Sequence, residues 1–298
     1  MFSLRKLAAT VFASGLALVL PGCATNLYAP DPQYVAPAMW KVADKDTTIY
    51  LFGTVHALSK ETAWYGGPIE QAYESSDELV TEIKLGDPVG DATAIVERAA
   101  LPAGENLRDL MTVENRAKYE ETLVSLGLPV DAMDKFEPWY AAMTLSLLPV
   151  MQKGFDPQSG ADTELAGKAE GKQLAALENV NDQIDIFDGL PMDAQLTFLA
   201  ETVGSVGQAA DELNVMVGKW LQGDAKGLAA VMNEELDDPV LYSRLLTQRN
   251  ARWADWIKQR MEQPGTVFVA VGAGHLAGKG SVQDVLQKRG VKVTRVRK

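Results

Sequence analysis

The sequence predicts an α/β fold: a mixed, largely parallel β-sheet core with helical insertions, its site at the carboxyl ends of the strands. Three observations predict it. Short β-branched, apolar runs alternate with longer helical patterns, and strands separated by helices pack into one sheet. Several of those runs follow a helix closed by glycine, as at Gly171 and Gly290. The two histidines of the 298-residue chain also share one local frame. His56 ends Gly53-Thr54-Val55-His56 after the run 48–52, and His275 ends Gly272-Ala273-Gly274-His275 after the run 266–271. Glycine lets the backbone turn sharply at a strand end. In open α/β sheets, sites form beyond the carboxyl ends of the strands.

The chain opens with what reads as a targeting segment. Arg5 and Lys6 precede an apolar stretch, 7–20, that is too short for a comfortable membrane span. Leu20-Pro21-Gly22-Cys23 followed by Ala24 resembles a bacterial lipobox, with Cys23 as the lipidated residue. Gly22-Cys23-Ala24 also reads as small-x-small, so ordinary signal cleavage is the alternative. Either way the protein is exported: residues 1–22 are the leader of the lipoprotein type, and ordinary cleavage falls after Ala24. The protein is then a membrane-anchored lipoprotein facing the periplasm, or a periplasmic or secreted one. Residues 23–38, with Pro30, Pro32 and Pro37, look like a tether to the folded domain at 39–298.

Cys23 is the only cysteine, so an exported domain has no internal disulfide and relies on its core. The 276 residues from Cys23 onward suffice for one large core or two lobes. Without Arg5 and Lys6, 26 basic residues face 40 acidic ones, a net charge of −14. That excludes nucleic acid as a partner and charge-driven binding to anionic membranes. The acids are dispersed, as on a solvated surface.

The elements follow in order. Residues 40–43 and 48–52, joined by Asp44-Lys45-Asp46, read as a β-hairpin. Gly66-Gly67-Pro68 opens a short helix to about Ser75, with proline near its first position. Residues 78–83 form a strand ended by Gly86-Asp87-Pro88. A first helical insertion spans about 90–170. In it, Thr112 caps a helix closed by Gly127, Pro138 starts an apolar, buried helix, and Asp162 caps a short helix stopped by Gly171. Residues 174–177 make a short buried strand. A second insertion, about 185–262, carries helices over 191–222, 224–235 and 239–262, with Asp224 and Asp238-Pro239 as cap signals. After the strand 266–271, Ser281-x-x-Asp284 opens a helix in capping-box style, and 291–296 is the last strand.

Four strands end in a residue that can bind metal or move a proton: His56, Glu82, Glu178 and His275. If the strands are parallel neighbours, all four converge on one edge. Two imidazoles and a carboxylate leave coordination positions open, as in a catalytic metal site. A metal there activates water and polarises a carbonyl, and a second carboxylate serves as general base. The bland alternative is that each histidine bonds a carbonyl, Glu82 is an exposed strand-end acid, and Glu178 caps the segment from Asn179. Arg249 and Asn250 are the substrate-binding candidates. They share a helix with Arg244, Arg252 and Arg260. Arg249 either points into the cleft, to bind a substrate carboxylate or a developing oxyanion, or belongs to an exposed helix face. Trp253 and Trp256 read as core contacts.

Trp40-Lys41-Val42 with 49–58, and 268–278 with Gly280 and Gly290, resemble the opening and closing motifs of the TraB/GumN family, which is related to the Tiki extracellular metalloproteases. Ala176-Leu177-Glu178 and Gln248-Arg249-Asn250 are similar to internal motifs of that family, so the resemblance spans about 39–297. It implies an α/β sheet core. For the Tiki branch it implies metal-dependent peptide hydrolysis, with His56, His275 and Glu82 as the metal centre.

Three functions are compatible with this pattern. The first is an envelope hydrolase using a divalent metal (zinc, manganese, cobalt or iron) on a peptide or protein substrate. The second is a non-catalytic protein that captures a peptide or glycan. The third is a metal-free esterase-type hydrolase using a histidine and a glutamate. No Gly-x-Ser-x-Gly elbow is present and the one cysteine lies at the leader, which argues against a serine or cysteine nucleophile.

Overall fold

A computed structural model of the chain describes residues 36–84, 88–233 and 239–296. Cys23, most of the expected tether, the Gly86-Asp87 turn and Asp238 lie outside them. The strands are β1 (Met39–Ala43), β2 (Thr47–Thr54), β3 (Leu58–Ser59), β4 (Glu78–Thr81), β5 (Phe155–Asp156), β6 (Gln173–Ala176), β7 (Gly265–Gly272) and β8 (Val293–Arg295). The helices are α1 (Gly67–Glu74), α2 (Pro88–Arg98), α3 (Val113–Ser125), α4 (Pro138–Gln152), α5 (Ala161–Gly167), α6 (Val180–Asp188), α7 (Met192–Ser205), α8 (Ala209–Leu221), α9 (Ala225–Asn233), α10 (Pro239–Tyr242), α11 (Gln248–Arg260) and α12 (Val282–Lys288).

Six strands form one sheet in the order β6-β4-β7-β2-β1-β8, and β3 pairs with β5 apart from it. β6, β4, β7 and β2 are parallel, while β1 is antiparallel to both β2 and β8. The fold is therefore the expected mixed, largely parallel sheet. The central strands are covered on both faces, which is why they read as continuous apolar runs. Side chains alternate across a strand. Val267, Val269 and Val271 of β7 pack with Trp253 and Ile257 of α11 and Leu286 of α12. Phe268 and Ala270 face the larger core on the other side. There Phe52 stacks on Trp64 at 5.5 Å, and Tyr73 meets Phe268 edge-on at 5.3 Å.

Several local expectations change. The strand expected at 78–83 stops at Thr81, which frees Glu82 to turn across the sheet edge. The strand expected as buried at 174–177 is β6, at one edge of the sheet, and Leu174 is 53% exposed because an edge strand has a neighbour on one side. Asp162 is not a cap: α5 starts at Ala161 after Gly160, and Asp162 lies buried in its first turn. The helix expected over 239–262 is broken by a π-turn, Ser243–Thr247, just before α11. The one expected over 191–222 breaks at a 3-10 turn, Val206–Gln208. The caps at Thr112, Asp224 and Ser281 are present as hydrogen bonds to Asn115 N, Gly227 N and Asp284 N.

The end of β2 runs close under the turn that carries His275. A Cβ at Gly53 would lie 2.9 Å from Ala273 Cα, in backbone that has little room to yield. Gly53→Ala is therefore expected to destabilise the fold by about 1–3 kcal/mol through overpacking. Gly218→Ala, in α8 with open space around it, should instead stabilise by roughly 0.5–1 kcal/mol through helix propensity. Urea denaturation of the two variants beside wild type checks the opposite signs.

Candidate active site at the carboxyl edge of the sheet

Parallel register brings the expected residues to one edge. Thr54 pairs with Gly272, and Thr81 with Ala270, so β2, β4 and β7 end side by side. His56, Glu82 and His275 follow those ends by two, one and three residues. Glu178 follows β6, and its backbone N–H donates to the Glu82 carbonyl at 2.8 Å. His56, Glu82, Arg249, Asn250 and His275 are all buried.

Gly272 is the point of convergence. Its N–H donates to Glu82 Oε1 at 2.7 Å. A Cβ there would lie 3.1 Å from Glu82 Oε1, 3.6 Å from His56 Nε2 and 3.7 Å from His275 Cδ2. The missing side chain leaves room for the carboxylate, with both imidazoles at ordinary contact distance.

The two histidines share a sequence frame but differ in surroundings. Asn250 donates through Nδ2 to the Gly280 carbonyl at 2.8 Å, which leaves its Oδ1 to accept from His275 Nδ1 at 2.6 Å. His275 Nε2 then accepts from Arg249 Nη1 at 3.0 Å. Burial, with the Arg249 cation beside it, pushes His275 down to about 3, so it is neutral. His56 is also penalised by burial, but the Asp162 carboxylate, 3.1 Å from its Nδ1, together with Glu82 outweighs this and raises its proton affinity above the ordinary value.

Arg249 is 1% exposed. Its Nη2 donates to Glu82 Oε2 at 2.6 Å, its Nε to Glu178 at 2.9 Å, and its Nη1 also reaches the Leu245 carbonyl at 3.2 Å. The guanidinium lies 4.7 Å over the Trp253 ring, within cation–π range. Trp253 in turn donates to Glu178 at 3.1 Å, and its ring centroid is 4.2 Å from that of His275. Arg252, at the rim, donates to Glu178 at 3.0 Å. Gln183 of α6 donates to Glu82 Oε2 at 3.0 Å. Burial works against the Glu82 anion, but Arg249, the imidazoles and the Gly272 N–H outweigh it and hold Glu82 at about 2. Among the described residues, no three His, Cys, Asp or Glu side chains are gathered to hold a metal ion. The guanidinium occupies the His275 Nε2 and Glu82 Oε2 atoms that a metal would need.

A TraB/PrgY/gumN profile matches residues 38–295, nearly the whole described chain. The chain belongs to the TraB/PrgY/gumN family. It is 27% identical over 256 residues to the uncharacterized protein YbaP of Escherichia coli (strain K12), covering 85% of this chain and 93% of that protein. It is 23% identical over 267 residues to an uncharacterized protein of Treponema pallidum (strain Nichols), covering 84% and 80%. To the Homo sapiens protein named metalloprotease TIKI1 it is 25% identical over 329 residues, covering 92% of this chain and 64% of that protein. No solved structure matches.

In this TraB/PrgY/gumN chain the four strand-end residues and Arg249 and Asn250 come together at one edge. Glu178 lies behind Arg249, away from Gly272, with its oxygens taken by Arg249, Arg252 and Trp253. Asn250 is buried against His275 and Gly280. Asp162, Gln183 and the polar role of Trp253 escaped the sequence. A lone acid before a short helix looks like a cap, and a tryptophan on an amphipathic helix looks like core.

The site has a pH signature. The Glu82 carboxyl is depressed in the fold, so its stabilising contribution is present above the ordinary value of 4.5 and is lost as pH falls through about 2. Glu82→Gln, which leaves Arg249 without a buried anion, is expected to cost about 3–5 kcal/mol near neutral pH. Urea titrations should show that difference shrinking as pH falls from 4.5 toward 2.

Proposed function

We propose that this protein is a metal-dependent hydrolase of the bacterial cell envelope that cleaves peptide bonds. The observation that supports it best is the convergence of His56 Nε2, His275 and the Glu82 carboxylate around Gly272. By residue type, two imidazoles and one carboxylate suit a divalent cation, with Asp162 and Asn250 beside the far ring nitrogens. Metal-bound histidines are oriented by outer partners in this way. The three are not gathered on one centre here, however, and Arg249 would have to leave His275 Nε2 and Glu82 Oε2 for an ion to bind. His56, Glu82 and His275 would hold the ion, which when bound supplies carbonyl polarisation and water activation at neutral pH. The surrounding side chains then orient and bind. Asn250 keeps His275 in the tautomer whose Nε2 faces the site. Arg249, its N–H groups taken by Glu82, Glu178, the Leu245 carbonyl and His275, would bind a substrate carboxylate or the developing oxyanion on releasing one of them, and Glu178 holds it in place from behind. Being named metalloproteases, the TIKI relatives support peptide-bond chemistry.

The envelope location rests on the leader at 1–22, with Cys23 as lipid anchor or ordinary cleavage as its alternative. Stable anchoring by lipid takes two or more acyl chains. No described helix is long and apolar enough to cross a membrane.

One observation favours a second reading. The Arg249 guanidinium already sits on His275 Nε2 and Glu82 Oε2, an arrangement suited to metal-free chemistry in which histidine and glutamate act as acid and base. Elemental mass spectrometry of the purified protein separates the two. Wild type should carry about one transition-metal ion per chain, and His56→Ala and His275→Ala should lose it while staying folded. No metal after reconstitution with zinc, manganese and cobalt would defeat the metal reading, and hydrolysis that survives exhaustive chelation would establish the other. Arg249 and a metal compete for two atoms, so Arg249→Met should bind zinc more tightly than wild type by isothermal titration calorimetry.

A further inference from the structure

Against the proposed metal set, and sharing His56 with it, lies a second group of polar atoms. Thr54 Oγ1, both ring nitrogens of His56 and Asp162 Oδ1 are buried and make no hydrogen bond to the described residues, although Asp162 Oδ2 lies 3.1 Å from His56 Nδ1 as an ion-pair contact. A metal ion on His56 Nε2 would still leave Thr54 Oγ1 and Asp162 Oδ1 unpaired, and buried polar groups in native folds are nearly always paired, so these two call for a further ligand. All three residues line one cavity of about 10 Å³, together with Glu82 and Ala270. That is room for about one water molecule.

The chemistry of the lining selects water over an anion. The Thr54 hydroxyl can donate, and Asp162 Oδ1 can only accept in its ionised form. A water that accepts from Thr54 and donates to Asp162 keeps one lone pair and one proton for the His56–Glu82 side. An anion would meet two carboxylates there. Asp162 reaches this position through an unusual approach of backbones: Ala161 N–H donates to the Val55 carbonyl at 2.9 Å. A Cβ at Gly160 would collide with the His56 carbonyl oxygen, so glycine alone lets α5 close over His56.

We propose that this cavity seats the attacking water, and that Thr54 and Asp162 hold it. The inference rests on the hydrolase reading above. In that reaction the water's oxygen joins the substrate's acyl carbon as the carbon–nitrogen bond breaks. One water proton leaves with the departing amine, and the other stays on the new carboxylic acid.

The test uses crystals of the full-length chain and turnover of fluorescein-labelled casein, for wild type, Thr54→Val, Thr54→Ser and Asp162→Asn. Wild type should show an ordered water within hydrogen-bonding distance of Thr54 Oγ1 and Asp162 Oδ1. Thr54→Val should lose the water and roughly 10²-fold in kcat, with apparent KM and metal content unchanged. Thr54→Ser, which keeps the hydroxyl, should restore both. Asp162→Asn should lower kcat in the same way. A wild-type cavity that is dry or holds a metal ion would overturn the proposal, as would full turnover in Thr54→Val. If no form cleaves casein, the hydrolase reading is at fault, and the electron density still decides whether the water is seated here.

Discussion

A buried guanidinium holds the carboxyl edge of this protein together. Removing an ion from water costs several kcal/mol even after relaxation, so Arg249 stays buried only because Glu82 and Glu178 are buried with it. The converse is equally true of the two carboxylates. Each comes from beyond a different strand, β4 and β6, while Arg249 comes from α11. The ion pairs therefore fix a helix of the second insertion across the ends of two neighbouring strands. Trp253 completes the arrangement from the same helix, by stacking under the guanidinium and bonding Glu178. The π-turn before α11 fits this picture, because such turns cluster at functional sites, and the Leu245 carbonyl within it accepts from Arg249.

The charge balance of the cluster explains the unequal histidines. Three carboxylates, Glu82, Glu178 and Asp162, face two guanidinium groups, of which Arg252 is at the rim. One negative charge remains. That excess is the physical content of the raised proton affinity of His56. A divalent ion at the same edge would offset it. His275, already beside Arg249, has no such use for a proton. Two like Gly-x-x-His frames thus acquire opposite shifts in proton affinity from the elements packed against them.

The division of labour within the fold follows from topology. The sheet supplies the reacting groups, because parallel strands end at one edge. The helical insertions supply the groups that orient them: Asp162 from α5, Gln183 from α6, and Arg249, Asn250 and Trp253 from α11. Glycine appears where groups crowd together. Gly272 leaves space for the Glu82 carboxylate, and Gly160 leaves space for the approach of α5 to His56.

Much of this was legible in the sequence, for reasons that are local. Apolar alternation and β-branched runs specified β2, β4 and β7, and the repeated Gly-x-x-His frame marked two strand ends. The adjacent Arg249 and Asn250 stood out through family resemblance. What tertiary structure alone decided was which groups meet. Whether Glu178 faces substrate or Arg249, whether Asp162 caps a helix or holds an imidazole, and which histidine is neutral depend on contacts between residues about a hundred positions apart, such as His56 with Asp162 and Glu82 with Gln183. Periodicity reports how a residue sits on its own element. The partner it faces, and so its charge, is set by how elements pack.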